Sequence, residues 1–370
     1  MAKFNIPGNY DMVSTAFISD VSARFSNPIT YTKGNNEIFI YSNHPEYPTS
    51  AHLGDGSTPV YINKVTANNK SKVLIYVTHH LDNLTEGPYK LAIRVYNPSS
   101  SSPITFTRLH EGYSNTASSN DWKNPGYAYE SFFANSTGTI PVGKQSSEWL
   151  VVKDINNYGK GNGFSFLDYF GEFSVTGSFV IAIYICKNIN NISSNAGEVE
   201  WKTSYSTYSG YSDCYSLTGS YDFDAANALV SYENSFFYGI SNPYQNWGSP
   251  SEKITMYATQ NKIPVTNNIG NYGYQYKISA TLRNTSTKPV QIKLYLISNN
   301  QSHFAGLSSL NGCSRFLTCQ SDDTRSSNRC NFYTVIRMES KAAPITIDFT
   351  YCHLALGSRG AILQFEATEL

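Results

Sequence analysis

The chain has 370 residues with 27 basic against 27 acidic, and only 15% of it is charged, where an ordinary soluble domain carries roughly 25%. Balanced charge without basic runs excludes nucleic acid and anionic membrane surfaces as principal partners, because both recruit clustered Lys and Arg. A 40% hydrophobic content is too high for a disordered chain, and no apolar run reaches the roughly 18 residues of a membrane-spanning helix. Polarity comes instead from Ser, Thr, Asn and 29 Tyr.

In chain order, residues 1–28 read as a short N-terminal arm. Pro7, Gly8, Asn9 and Asp11 break any apolar run of the roughly 7–15 residues that a secretion signal uses. Helical spacing follows over 11–25, with Met12, Val13, Ala16, Phe17 and Val21 on one face. From there the pattern changes to period-two alternation between turn residues, which predicts strands over 72–78, 89–96, 104–109 and 179–185. The segment 201–216 alternates Ser or Thr with Tyr and reads as a linker or an edge strand. A second short helix is expected over 222–229, and further strands over 276–282, 290–297 and 345–351. The fold expected is all-β: two tandem antiparallel β-sandwich, jelly-roll-like domains at 29–200 and 226–370, joined by a Tyr/Ser-rich connector at 201–225.

Two stretches repeat. A strand from Tyr89 runs to Asn97, then a Ser/Pro turn, then a strand from Ile104; a strand from Tyr276 runs to Asn284, then a Thr/Lys/Pro turn, then a strand from Val290. In each, Asn caps the turn through its own backbone and Pro stands where no ladder N–H is needed. Each half also has a later apolar strand with one Cys, Cys186 and Cys352.

No reaction centre stands out. His79 and His80 are adjacent, so in a strand their rings point to opposite faces and do not share a metal. His44, His52 and Asp55 share a polar loop, but no zinc-type spacing is present. No nucleophile elbow or phosphate-cradling glycine loop occurs either. No catalytic, cofactor-binding or metal residue is therefore assigned, and the chain is expected not to be an enzyme. The six cysteines, Cys186, Cys214, Cys313, Cys319, Cys330 and Cys352, are candidate disulfides or cross-links between subunits, with free thiols as the alternative. Three of them, Cys313, Cys319 and Cys330, are expected in a loop with Asp322, Asp323 and Arg325. The aromatic run at Tyr205, Tyr208, Tyr211, Tyr215 and Trp247 is a candidate assembly surface, since Tyr and Trp are enriched between subunits.

The first domain resembles cell-surface and spore-associated proteins of spore-forming Gram-positive bacteria, some of which carry a stalk or an amine-oxidase-N-terminal-like domain. The run that carries the resemblance begins at Phe39–Glu46 (Phe-Ile-Tyr-Ser-Asn-His-Pro-Glu), Leu53-Gly-Asp55 and Lys72–His79. It continues through Leu91–Asn97 and Phe132-Phe133 to Ile140–Gly143, within residues 38–190. The resemblance implies a non-enzymatic envelope or spore-surface sandwich and carries over no functional residues. The sequence departs from the family in showing no secretion signal or stalk, so the expectation is a spore- or cell-surface protein deposited without a visible signal.

Together these features suggest a structural subunit that self-assembles with copies of itself into a fibre, appendage or array, because near-zero net charge lowers repulsion between copies. A carbohydrate-binding module using Trp122, Trp149, Trp201 or Trp247 as stacking platforms is the first alternative. A double β-sandwich virion coat protein is the second.

Overall fold

The structure, a computed structural model, describes residues 12–13, 29–53, 61–65, 71–118, 124–132, 135–159, 164–192, 209–231, 235–241, 254–257, 272–298, 304–310, 313–319, 329–353 and 361–370. The first strands are β1 (Met12–Val13), β2 (Tyr31–Lys33), β3 (Glu37–Ser42), β4 (Tyr61–Val65), β5 (Lys72–His80), β6 (Tyr89–Tyr96) and β7 (Ile104–Ser118). Next come β8 (Asn135–Val142), β9 (Ser147–Ile155), β10 (Phe164–Val175), β11 (Phe179–Cys186), β12 (Gly210–Ser212), β13 (Ser216–Asp224) and β14 (Ser235–Ser241). The last are β15 (Gln275–Arg283), β16 (Val290–Ser298), β17 (Phe304–Leu310), β18 (Cys313–Cys319), β19 (Arg329–Met338), β20 (Ile345–His353) and β21 (Ala361–Glu369). Among the described residues, short α-helices interrupt them: α1 (Ser50–Leu53), α2 (Asn124–Phe132) and α3 (Ala225–Leu229), with a 3-10 turn at Ile189–Asn191. The protein is all-β in class, and all seven expected strands are present.

The expected helix at 11–25 differs in what can be described: Met12 and Val13 are extended, and the rest lies outside the described residues. The later helix is shorter than its periodicity suggested. β13 runs to Asp224, whose side chain then caps α3 by accepting from the Ala226 N–H at 3.0 Å.

Two compact units are present, and they do not follow chain order. One comprises Gly34–Tyr215 and Ile254–Asn268; the other comprises Met1–Lys33, Ser216–Lys253 and Ile269–Leu370. The connector expected at 201–225 is therefore divided, with β12 a strand of the first unit and β13 a strand of the second.

In the unit containing Gly34–Tyr215, one sheet has the order β12-β3-β5-β10-β7-β8 and the other β4-β11-β6-β9. Alternation puts Val73, Ile75 and Val77 of β5 and Leu167, Tyr169 and Phe173 of β10 on the inner face of the first. Leu91, Ile93 and Val95 of β6 and Ile181, Ile183 and Ile185 of β11 answer them from the second, in one buried cluster. Each such side chain contributes roughly 1.5–3 kcal/mol by leaving water. The other unit has sheets β1-β19-β16-β21-β14 and β18-β17-β20-β15-β13-β2.

The repeat seen in the sequence extends to strand pairing. β6 pairs β9, while β7 pairs both β8 and β10, which in turn pairs β5. In the same chain order, β15 pairs β20, while β16 pairs both β19 and β21, which in turn pairs β14. The two turn asparagines also match. Asn97 Nδ2 donates to Ser102 O at 2.8 Å and Gly143 O at 3.0 Å, and its Oδ1 accepts from Ser99 N at 2.9 Å. Asn284 Nδ2 donates to Lys288 O at 2.9 Å and Glu339 O at 3.1 Å, and its Oδ1 accepts from Ser286 N at 3.1 Å. Each amide thus closes its own turn and ties it to the following hairpin. The Cys186–Cys352 match drawn from spacing does not survive this register: Cys352 lies in β20, the counterpart of β9, whereas Cys186 lies in β11.

Candidate functional site

β5 ends in Thr78-His79-His80, and its pleat sends the two rings to opposite faces, as adjacency required. His79 turns inward and is fully buried. Its Nδ1 lies 2.8 Å from the Pro45 carbonyl and its Nε2 3.3 Å from Ser42 Oγ. A carbonyl only accepts, so Nδ1 carries the proton and donates, leaving Nε2 to accept from the hydroxyl. Burial pushes the His79 pKa down to about 4; the Pro45 bond works against this, while His44 and His80 add to it. A neutral ring thus ties the segment after β3 to the end of β5. That segment is also anchored by Leu53 of α1, which is buried in the core cluster.

His80 turns outward into aromatic company. Its ring centroid lies 4.4 Å from that of Tyr47 and 4.0 Å from that of Phe166. Its backbone N–H donates to Glu46 O at 2.8 Å, which holds Glu46 and Tyr47 beside the ring. Burial lowers the His80 pKa to about 4 and raises that of the Glu46 carboxyl. At 3.7 Å, His80 Nε2 and Glu46 Oε1 are close but not hydrogen-bonded, and a neutral imidazole makes no ion pair. His80 Nδ1 is buried without a hydrogen-bond partner. Phe164 precedes Phe166 by two residues on the same face of β10, about 7 Å along the strand. Two rings at this corner face solvent, Tyr47 at 43% and Phe164 at 53% exposure.

Further along this face lies a buried layer that the sequence reading missed. Cross-strand register sets Thr78 opposite Asp168, Tyr76 opposite Phe170 and Leu74 opposite Glu172. Tyr76 OH donates to Asp168 Oδ1 at 3.3 Å, and Tyr215 OH donates to Glu172 Oε1 at 2.5 Å. Glu37 Oε2 accepts from Tyr215 N at 3.3 Å. Burial, then the Glu172 charge and hydrogen bond, push the Tyr215 phenol far above its ordinary range. Helix α2 covers part of this layer, with Tyr129 edge-on to Phe170 at 4.8 Å. It seats over Gly112, where a Cβ would stand 1.8 Å from Ala128 O. The available signal was the alternation within β10, which places Asp168, Phe170 and Glu172 on one side of a strand.

On the outer face of the four-stranded sheet, Leu150 is the extra residue of a bulge between Ile93/Val151 and Arg94/Trp149. The bulge turns Trp149 to the same side as Arg94. The Arg94 guanidinium stands 5.2 Å over the Trp149 ring, which meets Tyr184 edge-on at 6.2 Å. Trp149 packs here against buried Ala92, Ala182, Tyr184, Cys186 and Ile192, so it does not stand out as a stacking platform. Trp122, Trp201 and Trp247 lie outside the described residues.

Among the candidate assembly residues, Tyr215 is fully buried and belongs to the unit's interior. Tyr211 in β12 meets Tyr257, with ring centroids 5.7 Å apart and backbone bonds of 2.9 and 2.7 Å. Tyr205 and Tyr208 lie outside the described residues. Cys186, Cys214 and Cys352 are buried thiols, and burial pushes the Cys186 pKa up to about 11, away from thiolate chemistry. Cys313 and Cys319 were expected in a loop but stand at opposite ends of β18. Six residue steps along the strand set them about 20 Å apart, too far for a mutual disulfide. Cys330 lies in β19, opposite Met12 and Leu296. Among the described residues, no three His, Cys, Asp or Glu side chains are grouped to hold a metal. No helix among them is long and apolar enough to cross a membrane.

No known family model matches the chain, and no curated protein matches its sequence. Solved structures align over long stretches without superposing. The CBM22-1-CBM22-2 tandem domain of Paenibacillus barcinonensis Xyn10C aligns at 9% identity over 79% of this chain and 82% of its own, with a TM-score of 0.13. The R92A mutant of Bacillus subtilis oxalate decarboxylase aligns at 8% over 84% and 75%, with a TM-score of 0.11. The 11S globulin of Wrightia tinctoria aligns at 8% over 80% and 77%, with a TM-score of 0.09. At these scores none bears on fold or activity.

Proposed function

We propose that the chain is a non-enzymatic carbohydrate-binding protein of two tandem β-sandwich, jelly-roll-like modules, taking sugar at the Tyr47–His80–Phe166 corner. The observation that carries the reading is the pairing of solvent-facing rings, Tyr47 and Phe164, with a buried His80 whose Nδ1 has no partner. Aromatic surface with a few fixed polar groups is the usual make-up of a small-ligand site, and ring faces offer stacking to the C–H face of a sugar. A neutral imidazole accepts at one nitrogen and donates at the other, which suits hydroxyl partners, and Glu46 adds an acceptor at the rim. The two-sheet core and the repeated pairing order support the two-module reading. The non-enzymatic reading is supported by the acids of this sheet: buried Asp168 and Glu172 and half-buried Glu111 are engaged by Tyr76, Tyr215 and Lys153 of the same chain.

The test is a glycan array followed by calorimetric titration of the best binder. Tyr47→Ala and Phe164→Ala should each weaken binding about tenfold, near 1.4 kcal/mol, while Trp149→Ala leaves affinity unchanged. Binding that survives both ring deletions, or an array with no binder, refutes the site.

A second reading, a structural subunit that self-assembles into a fibre, appendage or array at a spore or cell surface, is favoured by one observation. The Met12–Val13 strand lies on a sheet edge, against β19.

A further inference from the structure

We propose that the outer edge of β19 is where a second copy of this chain docks, by receiving that copy's Met12–Val13 strand. The inference rests on the self-assembly reading and names its surface. β19 has β16 along one side; along the other, the described residues place only Met12 and Val13, antiparallel, opposite Cys330 and Arg329.

The sister strand shows what a protected edge looks like here. β8 holds the equivalent place in the other unit's pairing order and ends its sheet. Its sequence includes Gly138 and Pro141, and proline on an edge denies a neighbour one ladder N–H. β19 has neither Pro nor Gly in its ten residues, and its charges are confined to Arg329 and Arg337. Its pairing with β16 shifts register twice, between Ile292 and Tyr295, but an edge of this length without proline is still a template for strand addition. β1 already demonstrates that an extended piece of this same sequence takes it.

Fifteen residues, 14–28, lie between Val13 and buried Ile29, and that many residues span up to about 50 Å when extended. That length of chain is enough to reach the edge of a neighbouring copy, and a net charge of zero leaves little repulsion against it. Exchange keeps every backbone bond of the β1–β19 pair and replaces only whose strand supplies them, the logic of domain swapping.

Met12 and Cys330 are direct partners in register, and opposed Cα atoms in antiparallel strands lie about 4.5–5.5 Å apart, within disulfide reach. The M12C variant, oxidised over a series of protein concentrations and run without reductant, should give bands at twice the chain mass and above. These should grow with concentration, collapse on reduction and be missing from M12C/C330S. A 12–330 bond found only at monomer mobility, or no such bond on peptide mapping, overturns the proposal. Light scattering of the unmodified chain separates the two ideas: particles without the cross-link overturn strand exchange and leave self-assembly standing, whereas a monomer at every concentration overturns both. Deletion of residues 1–13, checked for folding by circular dichroism, should leave a monomer; assembly that persists in the folded deletion also refutes the exchange.

Discussion

Lowering the pH from 7 to 4.5 should destabilise the unit containing Gly34–Tyr215, with His79 carrying the larger part of the loss. Burial holds its folded pKa at about 4 against a reference of 6.5. Between those values the unfolded chain binds a proton that the folded chain refuses, so stability rises with pH across that window. The contribution is whole above about pH 6.5, declines as acid is added, and is gone near pH 4. At about 1.4 kcal/mol per unit, the window is worth about 3 kcal/mol. His80 acts in the same direction but more weakly, because water reaches part of its ring. Glu46 acts oppositely, since its raised carboxyl pKa favours the protonated form in the folded state. Hydrogen exchange at the β5 amides, corrected for intrinsic rate, reads the unit directly. His79→Gln keeps a donor for the Pro45 carbonyl and does not titrate, so its acid loss should be smaller than wild type by about 3 kcal/mol. Equal acid losses in the two proteins, or none in wild type, refute the reasoning.

The matched asparagines should behave alike: Asn97→Ala and Asn284→Ala each strand several backbone groups and should cost about 2–4 kcal/mol. Urea melts test this, and a large cost at only one position contradicts the equivalence of the repeats. Gly112→Ala should unseat α2, because its Cβ would stand 1.8 Å from Ala128 O and 2.7 Å from Phe132 N. The expected loss is about 1–3 kcal/mol or more, visible as faster exchange in α2, and unchanged protection there counts against the close approach. Tyr215→Phe leaves Glu172 buried without its phenol donor and should cost about 1–3 kcal/mol in a urea melt. A melt unchanged from wild type contradicts the value placed on that bond.

Much of the fold was legible because half-buried strands write their pleat into the sequence. The runs at 89–96 and 276–282 alternate cleanly, and the Asn that ends each was read correctly as a turn cap. Its second task, donating to the Gly143 or Glu339 carbonyl of a distant hairpin, has no local signature, because the partner is a backbone group 46 or 55 residues away. Helix α2 was missed for a related reason. It is nine residues long, begins at Asn124-Pro125-Gly126 and is held by packing on Gly112 rather than by propensity. The corner at His80 was half legible. Adjacency gave the opposite faces of His79 and His80, but Glu46, Tyr47 and Phe166 come from separate stretches that only the β3, β5 and β10 register brings together.

The low charge content takes on a different meaning once the tyrosines are placed. Sequence alone offered their abundance as an exposed surface for meeting other copies. Within the described residues many are interior: Tyr41, Tyr76, Tyr89, Tyr129, Tyr169, Tyr184 and Tyr215 are among the largest fully buried side chains. Several spend their hydroxyls on acids or carbonyls. Tyr76 reaches Asp168, Tyr215 reaches Glu172 and Tyr169 reaches Glu111 at 3.4 Å, while half-buried Tyr113 donates to Asp154 O at 2.6 Å. A phenol satisfies a buried carboxylate oxygen without bringing a second charge out of water, which a Lys or Arg partner would require. Glu111, which also has Lys153 at 2.9 Å and Arg108 at 3.5 Å, shows the costlier alternative within the same sheet. With Tyr in this role a chain holds internal acids with few basic residues, and part of the composition that pointed outward is explained by the interior. Among the described residues the exposed large aromatics are Tyr47 and Phe164 at the His80 corner and Tyr127 of α2.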